Sequence, residues 1–254
     1  MGKLSGKVAV VSGASRGIGR ACAIAFAEDG ADVLVNYHSH PEDAAETVRQ
    51  IEALGQRATA YPANVADRAQ VEGMFKAALD QFGSVDIVVA NAYRSIRQPF
   101  LEVTLDGLEQ TLAVTLGGTF HVCQAGARIM VERKVAGSIV IIGSIHGEHG
   151  FANSTSYNIA KFGITGLALT MANELAAHHV RVNVINPGWI DTPGERQYAS
   201  EEEMREGARR LPWKRLGQPR EIGRVAAFLA SDDASYVSGT IMRADGAEIA
   251  ALGE

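Results

Sequence analysis

Lys7-Val8-Ala9-Val10-Val11-Ser12-Gly13-Ala14-Ser15-Arg16-Gly17-Ile18-Gly19 runs from an apolar stretch straight into a turn whose glycines have the spacing G-x-x-x-G-x-G. An apolar run of this length, followed by helical periodicity from about residue 17, reads as a strand, a tight turn and a helix. Without Cβ atoms, Gly13, Gly17 and Gly19 permit a sharp turn, let the main chain approach a pyrophosphate, and let the helix pack closely on the sheet. The free N–H groups and positive dipole end of that helix then suit phosphate. With 27 glycines in 254 residues, this spacing arises by chance about 0.3 times per chain. What points to a dinucleotide is its position directly behind the first apolar run.

Outward from this unit, short apolar runs alternate with helical periods. Strands are expected at 7–12, 32–36, 58–62, 85–91, 138–143, 181–186 and 240–243. Helices are expected at 17–29, 41–54, 67–82, 105–133, 156–178 and 219–230. The strands are apolar almost throughout, as in parallel sheets covered on both faces, so the expected fold class is α/β: one doubly wound parallel sheet. No repeat, low-complexity tract or Pro/Ser-rich linker interrupts residues 1–254, which read as a single domain. The segment 194–215 is dense in charge (Glu201, Glu202, Glu203, Arg205, Glu206, Arg209, Arg210). It lies where ligands bind at the strand ends, and reads either as a substrate lid or as a solvated surface helix.

A content of 46% hydrophobic and 21% charged residues excludes disorder, and a net charge of −5 gives no cationic surface for nucleic acid or an anionic membrane. No apolar stretch approaches the roughly 18 residues of a membrane span, and Val8–Val11 is too short for a signal-peptide core. Cys22 and Cys123 fall within apolar helical patterns, as buried thiols rather than a disulfide or metal site. A soluble cytoplasmic protein with a small-molecule partner is expected. His146 and His149 border the substrate cleft, and a lone pair of histidines makes a poor metal site.

Two further patterns carry chemistry. Where NAD-binding folds place an acid to hold the ribose 2′-hydroxyl, the second strand ends Val35-Asn36-Tyr37-His38-Ser39, without one. Asp32 stands at the opposite strand end. Arg16, in the glycine turn, is placed to face a 2′-phosphate, so NADP(H) is expected over NAD(H), which stays possible. In Tyr157-Asn158-Ile159-Ala160-Lys161, Tyr157 and Lys161 sit one turn apart on a helix face, and Ser144 lies just past the fifth strand. Reducing a ketone by hydride transfer requires a proton at the carbonyl oxygen. Bringing a tyrosine from about 10 toward 7 takes about 4 kcal/mol of phenolate stabilisation, which Lys161 and an oxidised nicotinamide can supply, while Ser144 orients the oxygen.

The Ser12–Gly19 turn, Asn91-Ala92 ending the fourth strand, Ser144, the Tyr157/Lys161 pair and Asn186-Pro187-Gly188-Trp189-Ile190-Asp191-Thr192 together resemble the short-chain dehydrogenase/reductase family over nearly the whole chain. The resemblance implies a Rossmann-type fold, hydride transfer between NAD(P) and an alcohol or carbonyl, and a homotetramer built through the fifth- and sixth-unit helices. It implies Tyr157 as general acid/base, Lys161 as its tuner and ribose ligand, and Ser144 as the carbonyl-orienting group. Cofactor contacts are implied for Gly13, Ser15, Arg16, Gly17, Ile18, Gly19, Tyr37, Asn64, Val65, Asn91 and Ala92, with Pro187, Gly188, Ile190 and Thr192 bordering the nicotinamide. Three positions depart from the family pattern. Tyr93 replaces a glycine, Asn64 replaces an aspartate near the adenine, and Thr115 replaces an asparagine associated with a water-linked proton path to the lysine. Residues 189–195 look most like glucose 1-dehydrogenase-like proteins, which favours a sugar or other small hydroxy compound. A 3-oxoacyl-carrier-protein reductase is the alternative, and an NADP(H)-binding sensor or scaffold the alternative of another class.

Overall fold

The structure, a computed structural model, describes residues 2–251. Seven strands form one all-parallel sheet: β1 (Val8–Val11), β2 (Asp32–Tyr37), β3 (Ala58–Pro62), β4 (Ile87–Ala90), β5 (Ser138–Ile142), β6 (Arg181–Pro187) and β7 (Ile241–Ala244), in the order β3-β2-β1-β4-β5-β6-β7. The apolar runs are continuous because both faces are covered. On one face Ala9, Val11, Val33, Val35, Val89 and Val140 pack under helices α1 (Gly17–Glu28) and α8 (Pro219–Ala230). On the other, Val10, Leu34, Val88, Ile139 and Ile141 pack under α3 (Arg68–Phe82), α5 (Gly118–Glu132) and α6 (Thr155–Leu175). Helix α2 (Pro41–Ala53) flanks β2 and β3 on the α1 side. The order reverses between β1 and β4, and a ligand crevice opens at such a switch point beyond the strand ends.

The single helix expected over 105–133 is interrupted. Helix α4 (Leu105–Leu112) passes through a π-helical turn at Ala113–Gly117 before α5 begins. Periodicity cannot reveal one extra residue in a turn, and such π turns are frequent at functional sites. The strand expected at 85–91 is shortened to Ile87–Ala90, and Asp67 is the cap of α3 rather than its first residue, its carboxylate accepting from the Ala69 and Gln70 N–H groups. Segment 194–215 folds as a short 3-10 turn (Glu195–Gln197) and a charged helix α7 (Glu201–Arg210) closed by a Ser200/Glu203 capping box. Both cysteines are free and buried, which pushes their thiols up to about 12. Among the described residues no helix is long and apolar enough to cross a membrane.

Candidate active site

The glycine turn is built from both sides. The Gly13 N–H donates to Asn36 Oδ1 (3.1 Å), and Asn91 Nδ2 donates to the carbonyls of Ser12 and Gly13 (3.0 Å each). Gly13 has φ +61°, where a side chain is strained, and a Cβ at Gly19 would stand 2.3 Å from the Gly13 carbonyl oxygen. The Asn91 side chain therefore supports the turn. Ser12 joins the same support, its hydroxyl accepting from the Asn91 and Ala92 N–H groups. Helix α1 starts at Gly17 with Arg16 in the cap position and no side-chain cap bond, so its first N–H groups face the crevice uncapped. An uncapped helix start above a glycine cradle fits the pyrophosphate of a dinucleotide.

The remaining expected cofactor residues divide by what their side chains do. The Tyr37 and Ile18 side chains pack on the core at the β2 end of the crevice. Ser15 is buried, its carbonyl taken by Arg20 and Thr47, and Arg20 further ties α1 to Asp43 of α2. The Arg16 side chain, by contrast, makes no hydrogen bond or ion pair among the described residues, while its carbonyl accepts the Arg20 N–H within α1. Asn64 Oδ1 accepts from the Ala66 N–H, and Val65 is buried against Gly118. Thr192 reaches back to the turn, its methyl standing 3.6 Å from where a Gly17 Cβ would be. Ile190 buries its side chain against Gly217, and Pro187 ends β6 in register with Ala244. Gly188 directly follows β6. A Cβ there would meet Asp245 Cα at 2.8 Å and Glu248 Oε2 at 2.7 Å, so its small size serves the turn after β7.

Ser144, Tyr157 and Lys161 converge where β5 ends and α6 begins. The Ser144 N–H donates to Asn186 Oδ1 (2.9 Å), and its hydroxyl oxygen accepts the His146 N–H (3.2 Å), which leaves the Ser144 proton free to donate outward. Asn186 Nδ2 donates to Glu148 (2.7 Å), whose carboxylate also receives Arg243 from β7 (2.6 Å). A line of three strands thus holds the Ser144 backbone. Burial pushes the Tyr157 phenol up, and the Ser144 hydroxyl beside it pulls it back down. Lys161 is 3% exposed, donates to the Ile142 carbonyl (2.8 Å), and places its ammonium 5.4 Å from the Tyr157 ring centre. Burial holds that ammonium down at about 7.

Thr115, at the centre of the π turn, is buried, and its hydroxyl is engaged in both directions. It donates to the Arg94 carbonyl (2.7 Å) and accepts the Arg94 N–H (3.0 Å). Thr115 thus clamps the loop after β4. That loop carries Tyr93, which turns over the site. Its ring meets Tyr157 edge-on at 6.0 Å, and a Cβ at Gly194 would lie 2.4 Å from its hydroxyl. Arg97 pairs with Glu195 (3.2 Å) and stacks on Tyr198, whose hydroxyl donates to the Ser95 carbonyl (2.7 Å). These contacts join the loop to the start of segment 194–215 above Tyr157.

Asn36, Asn186, Ser12 and Glu148 were not singled out as site residues in the sequence. For the two asparagines a signal existed: a polar residue inside an apolar strand must find partners when buried. Glu148 had none, because its partners come from β6 and β7.

Residues 13–246 match a family model described as enoyl-(acyl carrier protein) reductase. The chain is 40% identical to L-rhamnose 1-dehydrogenase (NAD(P)(+)) of Sphingomonas sp. strain SKA58, over 96% of each chain. It is 35% identical to a 3-oxoacyl-acyl-carrier-protein reductase of Thermotoga maritima, over 96% of this chain and 98% of that one. It superposes on carveol dehydrogenase of Mycobacterium avium in complex with NAD at a TM-score of 0.91 with 27% identity, covering 98% of this chain and 100% of the other. The match of residues 13–246 to the family model, and a likeness to these dehydrogenases and reductases along almost the whole length, place the chain in the short-chain dehydrogenase/reductase family of NAD(P)-dependent oxidoreductases, which interconvert alcohols and carbonyl compounds.

Proposed function

We propose that this enzyme prefers NADP(H) and acts on a small neutral hydroxy compound, an aldose oxidised at C1 being the substrate class the site suits best. The observation that carries the reading is the convergence of Ser144, Tyr157 and Lys161 beneath Tyr93 and segment 194–215. In the oxidation direction the Tyr157 phenolate accepts the hydroxyl proton, Ser144 donates to the same oxygen, and Lys161 favours the phenolate by its charge. NADP+ held by the glycine turn, the start of α1 and Arg16 would supply the hydride acceptor. Segment 194–215 acts as the lid, held through Arg97 and Glu195. The polar, ion-paired ceiling suits hydroxyl groups better than an acyl chain. The intact trio also argues against a sensor or scaffold.

The carrier-linked alternative needs a basic docking face. Near the end of α5, Arg133 donates to the Gly83 carbonyl, and on neighbouring α3 Arg68 and Lys76 are paired with Glu72 and Asp80. Charges there are mixed in sign, which disfavours an acidic carrier.

For the cofactor, support comes from Arg16 at the uncapped start of α1 and from a β2 end without an acid. Asn36 there is committed to the turn, and Asp32 is paired with Arg57 at the far end of β2. Oxidation of L-rhamnose and D-glucose with each cofactor tests both parts. Efficiency is expected to be at least about tenfold higher with NADP+ than with NAD+, as for the loss of one charge-assisted bond. Arg16→Ala is expected to erase that ratio mainly through KM. Equal efficiency in the wild type overturns the cofactor preference, and failure to oxidise either sugar overturns the substrate class.

Apolar side chains exposed on α4, α5 and α6, among them Leu105, Phe120, Ile159, Phe162 and Leu169, support assembly into a homotetramer. The scattering mass in solution is expected to be four times that of the monomer, and a monomeric mass overturns the assembly.

A further inference from the structure

His146 stands beside Tyr157 with a role that the reaction so far described does not use. Its ring meets the Tyr157 ring edge-on with centroids 5.1 Å apart, and Phe151 packs on its other side at 4.3 Å. Its Nδ1 lies 2.6 Å from Asn158 Oδ1. The orientation of that amide is determined, because Asn158 Nδ2 donates to the Phe151 carbonyl (3.1 Å), which can only accept. Oδ1 is therefore the atom facing the imidazole, and Nδ1 must carry the hydrogen. Burial holds the imidazole below its usual range against the upward pull of the Asn158 bond, with Arg97, Lys161 and His149 adding to the lowering, so the ring is neutral at pH 7. Nε2 is then a lone-pair acceptor. It has no protein partner among the described residues and is not among the buried unpartnered atoms, so it is accessible to a ligand.

We infer that His146 Nε2 accepts a hydrogen bond from a substrate hydroxyl on the carbon next to the reacting one, making a vicinal hydroxyl the group that this site selects. The geometry supplies the reason. Ser144 and Tyr157 converge on one substrate oxygen, and His146 follows Ser144 by two residues on the same 3-10 turn, within ring contact of Tyr157. The next substrate oxygen along thus meets an acceptor locked in one tautomer. A hydroxyl donates to it, whereas a methylene leaves a desolvated lone pair without a partner.

The inference rests on the dehydrogenase reading and deepens it, so the probes are chosen to be independent of sugars: 2-hydroxycyclohexanone and cyclohexanone, each reduced with NADPH. The wild type is expected to prefer the hydroxyketone in kcat/KM by about tenfold or more. His146→Phe, which keeps the aromatic contact with Tyr157, is expected to bring the two within about threefold by loss on the hydroxyketone alone, with NADPH binding, followed by its fluorescence, unchanged. His146→Gln, whose carbonyl can accept, is expected to restore part of the preference. No preference in the wild type, no turnover of the hydroxyketone, or an equal loss on both ketones in His146→Phe overturns the assignment. A hydroxyketone preference without any aldose oxidation sinks the sugar reading and leaves the role of His146 standing.

Discussion

Tyr157→Phe is expected to lower kcat for carbonyl reduction by about a hundred- to ten-thousandfold, the range for removing a positioned proton donor, while NADPH affinity stays within about a factor of two. The substitution deletes one oxygen. The ring keeps its edge contacts with Tyr93 and His146, and the phenol is not the bond that holds Lys161, which donates to the Ile142 carbonyl. The loss is therefore chemical rather than structural. Fluorescence titration with NADPH and single-turnover reduction of an activated ketone separate the two effects. Turnover within tenfold of the wild type would show that another group delivers the proton. The direction of the Tyr157 shift adds a pH signature: a phenol pushed up by burial remains a good donor across the neutral range. Ketone reduction should persist toward acid and fall at alkaline pH, whereas alcohol oxidation, which needs the phenolate, should climb as pH rises.

Lys161→Met is expected to reduce kcat/KM in both directions by about two orders of magnitude or more and, at the same time, to make the protein more stable at pH 6. Lys161 is nearly fully buried without a carboxylate partner, and its ammonium is held down at about 7 from an unfolded value of 10.5. A base with a depressed folded pKa is charged in both states below pH 7, where the cost of burying the charge is full. Between pH 7 and 10.5 only the unfolded chain holds the proton, so the cost shrinks as pH rises and is gone above 10.5. A shift of this size corresponds to at most about 5 kcal/mol, reduced by the lost bond to Ile142. Melting curves of the two proteins at pH 6 and pH 9 check this. The variant should melt several degrees higher at pH 6, with a smaller margin at pH 9. An equal or lower melting temperature at pH 6 would mean that the ammonium is well solvated or paired. The opposition follows from function, because the charge that favours a phenolate must sit where water is scarce and is costly there.

Legibility differed among the parts of the site for physical reasons. The glycine turn announces itself because its requirements are local: a left-handed φ at Gly13 and contact between Gly19 and the Gly13 carbonyl six residues away. The Tyr157/Lys161 pair is equally local, one turn of α6. Thr115 was noticed as a departure, but the loop it holds was not. Whether its hydroxyl holds a water or the Arg94 main chain depends on a π turn and on the course of a loop 21 residues away. For Gly188 only the structure shows that a Cβ would strike the turn after β7. Tyr93 could be identified only as a residue out of pattern. Its path under Gly194 exists because segment 194–215 is laid over the strand ends by Arg97, Glu195 and Tyr198.

By itself, then, the sequence determined everything that depends on short-range periodicity. The strands are apolar throughout because both faces of a parallel sheet are covered, and from that rhythm the doubly wound architecture, the crevice and the helix start beneath a pyrophosphate follow. Only the tertiary structure decided which atoms face one another across the crevice. It committed Asn91 and Asn36 to the turn, ran a line from Arg243 through Glu148 and Asn186 to the Ser144 backbone, and left His146 Nε2 as an open acceptor beside Tyr157. Hydrogen bonds are directional over about 3 Å, and the partners here come from strands and loops dozens of residues apart. No pattern along the chain encodes such a meeting until the sheet brings the strand ends together.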